Sequence, residues 1–80
     1  MRLSDMEIGQ TKKVIKINNK ESVKIRLKEI GLTEGAKITL IRKSPFLDPI
    51  EIKVRDFYLA LRVSDAKMIE VEWCQNLQSH

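Results

Sequence analysis

Apolar residues recur along this chain in two rhythms, and the change from one to the other divides it into elements. Between Thr11 and Ile17 apolar and polar positions interleave, with Ile15 and Ile17 pointing one way and Val14 the other, which predicts a strand entered through a turn at Gly9. From about Lys20 to Ile30 the spacing lengthens. Val23, Leu27 and Ile30 fall four and three apart, forming one stripe of a helix that can pack on a sheet, while Ile25 lies on the opposite side. Asn18, with Glu21 three residues later, has the pattern of a reciprocal N-terminal box in which each side chain satisfies an orphaned backbone N–H. Gly31 suits the left-handed position that ends such a helix, and Leu32 can fold back on the last turn as in a Schellman motif.

Thr33, Glu34 and Gly35 form a tight turn into a strand over Ala36 to Lys43, with Ile38 and Leu40 on one face and Thr39 and Ile41 on the other. Apolar groups on both faces predict a central position. Ser44 to Pro49, SPFLDP, reads as a loop, because each proline lacks a ladder donor and biases its predecessor towards extended backbone. In IEIKVRD, Ile50, Ile52 and Val54 alternate inward against Glu51, Lys53 and Arg55. A turn near Asp56 leads into YLALRV, with Leu59, Leu61 and Val63 on one face. A short helical turn capped by Ser64 follows, and MIEVEW then places Ile69, Val71 and Trp73 on the core side. Five short strands and one helix, too closely joined for parallel crossovers, favour a mainly β fold: a small SH3-like antiparallel barrel over residues 3–73, with a frayed tail at 74–80.

Composition narrows what such a barrel can do. Eighty residues with 42% hydrophobic and 32% charged side chains make one ordered domain with little room for a deep catalytic cleft. The longest wholly apolar or aromatic run, Phe57 to Leu61, is far short of the roughly 20 residues of a membrane span, and the N-terminus lacks a signal-like apolar region. With Cys74 as the only cysteine, a reducing, cytoplasmic setting is expected. Residues 1–43 hold 11 basic and 5 acidic side chains, +6, and residues 44–80 hold 4 and 6, −2. That asymmetry fits an anionic partner or simply a solvated surface.

No side-chain set supports catalysis. The single histidine, His80, is the last residue, where positional control is poorest, and Cys74 has no neighbouring cations to activate it. One Cys and one His cannot build a zinc site, and the alternating carboxylates Asp5 and Glu7, or Glu70 and Glu72, read as solvent-facing. Gly31 and Gly35 follow a helix and precede a strand, the wrong context for cradling phosphate. Phe46, Phe57, Tyr58 and Trp73 do not alternate with cations as a nucleic-acid stacking face requires, and Trp73 is expected in the core. This leaves Phe46 and Leu47, held between two prolines: they either plug the barrel mouth or dock a partner.

The order of elements from Arg26 to Glu72 resembles the FeoA family of small cytoplasmic ferrous-iron transport proteins. The pattern R-L-x-x-[LM]-G-[LIM]-x-x-G falls on Arg26, Leu27, Gly31, Leu32 and Gly35, the P-x-x-[DG]-P loop on Pro45, Asp48 and Pro49, and L-R-x-x-x-A on Leu61, Arg62 and Ala66. Two departures stand out: bulky Leu47 in the loop, and Asp56 where the family usually has glycine in the later turn. The resemblance implies a non-enzymatic SH3-like module, without cofactor, that acts on the cytoplasmic region of an FeoB-type membrane transporter by protein–protein interaction. It implies no nucleic-acid partner and no membrane insertion, and it leaves a homo-oligomer open. On that reading Phe46 and Leu47, with Pro45, Asp48 and Pro49, form the contact loop, and Arg42, Lys43 and Arg62 steer it. Two alternatives are a regulatory module of metal-dependent transcription control, for which a DNA-binding helix-turn-helix is missing, and a weak Fe(II) carrier, for which firm ligands are scarce.

Overall fold

The computed structural model describes residues 1–46 and 48–74. A 3-10 turn at Leu3–Asp5 leads into β1 (Thr11–Ile17), α1 (Glu21–Glu29), β2 (Lys37–Lys43), β3 (Ile50–Val54), β4 (Phe57–Leu61), the single-turn helix α2 (Val63–Ala66) and β5 (Ile69–Trp73). The strands form one antiparallel sheet in the order β4-β3-β2-β1-β5, so β2 is central as its two apolar faces predict. Every strand contributes to a single core. Val14, Ile17, Ile38, Leu40, Ile50, Ile52, Val54, Leu61, Ile69 and Val71 are buried there with Leu27 of α1 and Leu3 and Met6 of the entry segment.

Two bulges let a five-stranded sheet curl round that core. In β1, Val14 pairs with Val71 and Lys16 with Glu70, so Ile15 is an extra residue opposed by nothing. In β2, Leu40 pairs with Ile52 and Arg42 with Glu51, which leaves Ile41 in the same position. An inserted residue bends its strand and raises the local twist. The β1 bulge also corrects the expected facing: Val14 and Ile17, three apart, both reach the core, while Ile15 turns outward.

The helix ends as its glycine requires. Gly31 has φ +94°, its N–H donates to the Lys28 carbonyl at 3.0 Å, and the Leu32 N–H reaches back to the Leu27 carbonyl at 2.8 Å. These two bonds are the Schellman pair, and the buried side chains of Leu27 and Leu32 supply its apolar contact. The other end differs from expectation. Lys20 is the N-cap and makes no side-chain capping bond. Asn18 instead donates to Glu70 Oε2 at 3.0 Å, tying the β1–α1 connection to β5, and buried Asn19 donates to the Asp65 carbonyl at 3.1 Å. Asn18, the side chain expected to cap, is taken by a long-range partner, so no reciprocal box with Glu21 forms. Ile30 falls just past the helix, at its C-cap, and stays exposed rather than completing the buried stripe.

Trp73 is also not a core residue. It ends β5 opposite Lys12, 60% exposed, and its ring covers the Lys12 ammonium, 4.1 Å from the centroid. Lys12 itself is 1% exposed. The long lysine stem fills the end of the core that the indole would have occupied, and the indole becomes its lid.

At the β3–β4 hairpin, Val54 pairs with Phe57 across the two residues Arg55 and Asp56. The left-handed residue is Arg55, at φ 56°, and not Asp56. The Arg55 side chain lies over the bare face of Gly31, where an added Cβ would stand 3.4 Å from its Nε.

Candidate functional site

The loop between β2 and β3 is held at its base by a short series of hydrogen bonds. The Ser44 N–H donates to the Pro49 carbonyl at 3.1 Å, and the Asp48 N–H donates to Ser44 Oγ at 2.8 Å. The Asp48–Pro49 peptide is cis. From there the Asp48 carboxylate reaches across the fold, where its Oδ1 accepts from the Val63 N–H at 3.0 Å. Val63 is the first residue of α2, so Asp48 occupies the role expected of Ser64, satisfying an open N–H at a helix start from fifteen residues away.

This tether holds the β2–β3 loop against the start of α2. Arg62, the N-cap of α2, is brought next to the loop, because Asp48 binds its chain neighbour. Pro45, Asp48 and Pro49 are all exposed, and Lys43 is half-buried. Phe46 is 89% exposed, so it does not plug the barrel mouth. A phenyl ring left almost wholly in water forgoes about 1.5–3 kcal/mol that burial would return. Leu47 lies outside the described residues. Arg42 is exposed but not unpartnered: its Nε lies 2.8 Å from Glu51 Oε1 across the β2–β3 ladder. Its charge is therefore partly answered, whereas Lys43 and Arg62 take part in no ion pair among the described residues.

Among the described residues no group of three or more His, Cys, Asp or Glu side chains converges to hold a metal ion. Cys74 is a half-buried free thiol, and His80 lies outside the described residues. No described helix is long and apolar enough to cross a membrane. Sequence reasoning missed two features: the anchoring use of Asp48, and the exposure of Phe57 and Tyr58 at 62% and 59%. The run FYLAL does hold a signal for the second, since apolar residues occupy both parities of a strand with only one face on the core.

Residues 1–72 match the family model described as the FeoA domain. A fusion protein of Porphyromonas gingivalis, an Fe(2+) transport protein A joined to the Fe(2+) transporter FeoB, is 32% identical over 72 residues. The match takes in 90% of this chain but only 8% of that protein. Among solved structures, the FeoA protein of Chlorobium tepidum superposes with a TM-score of 0.90 at 31% identity, over 100% of this chain and 76% of that one. A zinc-complexed FeoA from Stenotrophomonas maltophilia, described as an SH3 domain protein, superposes at 0.79 with 26% identity, over 90% of this chain and 89% of that one. The mainly β, SH3-like fold expected from the strand pattern is thus the one observed.

Proposed function

The chain belongs to the FeoA family, and from that premise we propose that it serves ferrous iron uptake as a non-enzymatic accessory, docking on the cytoplasmic region of an FeoB-type transporter through the loop Ser44–Pro49. The observation that carries this reading is Phe46, 89% exposed on a loop whose base is pinned by Ser44 and Asp48. A large apolar group held out from a pre-ordered backbone loses little conformational entropy on binding, which is the economy of an interface anchor. The fused relative supports the choice of partner, since there the corresponding modules share one polypeptide.

In this reading Phe46, with Leu47 beside it in sequence, anchors the contact, and Pro45 and Pro49 stiffen its frame. Lys43 and Arg62 steer the approach of an acidic surface, and Arg42 does so less because Glu51 answers it. Titrating the chain into the purified cytoplasmic region of an FeoB-type transporter, followed by interferometry, tests the proposal. Binding is expected to be lost in the variant Phe46→Ala with Leu47→Ala, while its circular dichroism stays unchanged. Undiminished binding by that folded variant would remove the loop from the interface.

A further inference from the structure

The sheet has two edges, and they are treated differently. Along β5 the edge is occupied: the Val71 N–H donates to the Met1 carbonyl at 2.7 Å, Arg2 bridges to Glu70, and Glu70 and Glu72 add charge. Along β4 the edge has no backbone partner among the described residues, and it borders a groove that Arg26, Leu27 and Ile30 line from the α1 side. The five residues of β4, FYLAL, carry no charge and no proline, and they pair with β3 in unbroken register from Val54–Phe57 to Ile50–Leu61. Soluble proteins normally blunt such an edge with charges, prolines or bulges, because its unpaired N–H and C=O groups template another strand.

The hairpin decides which groups are unpaired. Its two-residue connection makes Val54–Phe57 the closing hydrogen-bonded pair, and hydrogen-bonded and open pairs then alternate. Phe57, Leu59 and Leu61 therefore spend their backbone groups on β3, while Tyr58 and Ala60 aim theirs outward. Neither Tyr58 nor Ala60 makes a backbone bond outside the ladders among the described residues.

The sequence around this edge is self-complementary. Asp56 and Arg62 stand three residues before and three after Leu59, and neither takes part in an ion pair among the described residues. When two copies meet antiparallel with the two-fold axis at Leu59, Tyr58 faces Ala60 of the second copy, Phe57 faces Leu61, and Asp56 faces Arg62, each contact occurring twice. The outward backbone groups of Tyr58 and Ala60 then bond each other. Sliding the pairing by one residue sets outward groups against inward ones, and re-centring it on Tyr58 or Ala60 separates Asp56 from Arg62. One register alone satisfies both hydrogen bonds and charge, as an isologous interface requires.

We infer that β4 is a homodimerisation edge, its occupant the β4 of a second copy of this chain. This inference does not rest on the transporter reading, and its test needs no transporter. A single strand pair with flanking side chains is small beside the roughly 1,200–2,000 Å² of stable interfaces, so association is expected at about 0.1–1 mM protein. Analytical ultracentrifugation of the full chain over that range should show a reversible monomer–dimer equilibrium. Asp56→Arg and Arg62→Asp, each turning two attractions into repulsions, should weaken it about tenfold or more. The doubly swapped variant restores the pairing, and an equimolar mixture of the two single variants forms a heterodimer that neither forms alone. Ala60→Pro, which removes an outward N–H without touching the ladder to β3, should abolish dimerisation with circular dichroism unchanged. A chain monomeric throughout, a dimer indifferent to either charge swap, or no association on mixing overturns the inference.

Discussion

The Val63 N–H donates to Asp48 Oδ1 at 3.0 Å, and this bond couples the β2–β3 loop to the helix that leads into the last strand. Asp48 also donates its own N–H to Ser44 Oγ, so one residue fixes the loop's base and its position against α2. The loop is consequently an extension of the barrel rather than an appendage, with Phe46 carried at its tip.

Asp48→Ala should therefore destabilise the fold by about 1–2 kcal/mol, the usual range for losing a side-chain acceptor at a helix start. Asp48→Asn keeps an oxygen in place and should lose less than half as much, since only the carboxylate's charge at the helix end is removed. Urea denaturation of the three proteins checks the ranking. Equal losses in the two variants would show that the charge, not the hydrogen bond, holds Val63.

Gly31→Ala should cost about 1–2 kcal/mol, because φ +94° is hostile to any L side chain. Space adds little to that penalty, since the new methyl would stand 3.4–3.5 Å from the Arg55 Nε and Cδ, the end of a flexible side chain. Thermal unfolding of Gly31→Ala alone and together with Arg55→Ala separates the two contributions. A penalty that persists in the double variant belongs to the backbone.

Where a side chain's surroundings are set by its near neighbours in sequence, the fold was legible. Ile50, Ile52 and Val54 alternate into the core, and Leu27, Gly31 and Leu32 close the helix by contacts within six residues. Where a distant partner decides, local pattern misleads. Asn18 is drawn from its capping position by Glu70, fifty-two residues on, and the Ile15 bulge is settled by register with β5. The candidate loop lay between these cases. Its prolines marked it as a loop, but only the assembled fold shows Phe46 in water rather than over the barrel mouth, and only there does Asp48 reach Val63.

Arg42→Ala should change stability by no more than about 0.5 kcal/mol, although its guanidinium lies 2.8 Å from Glu51, because the arginine side chain is 73% exposed and such pairs are screened by water. The substitution is therefore a clean probe of the proposed interface. Urea midpoints equal to those of the parent chain would confirm the small cost. Any weakening of transporter binding in that variant then reports lost steering rather than lost fold.

Lys12 poses the sharpest question of sign. Its side chain is 1% exposed, its ammonium contacts the Met1 Sδ and the face of Trp73, and it forms no ion pair among the described residues. A desolvated cation over an indole gains about 2 kcal/mol, whereas taking an unpaired ammonium out of water costs several. The stem contributes separately, as apolar volume closing the end of the core. Lys12→Met keeps that volume and deletes the charge, and should raise stability by about 1 kcal/mol. Lys12→Ala deletes both and should lower it by about 2 kcal/mol through the cavity it leaves. Trp73→Ala, which opens the lid and gives the ammonium back to solvent, should cost less in the Lys12→Met background if cation and ring are coupled. Guanidinium denaturation of the four proteins closes this double-mutant cycle, and a destabilising Lys12→Met would mean that the cation–π contact outweighs desolvation at this site.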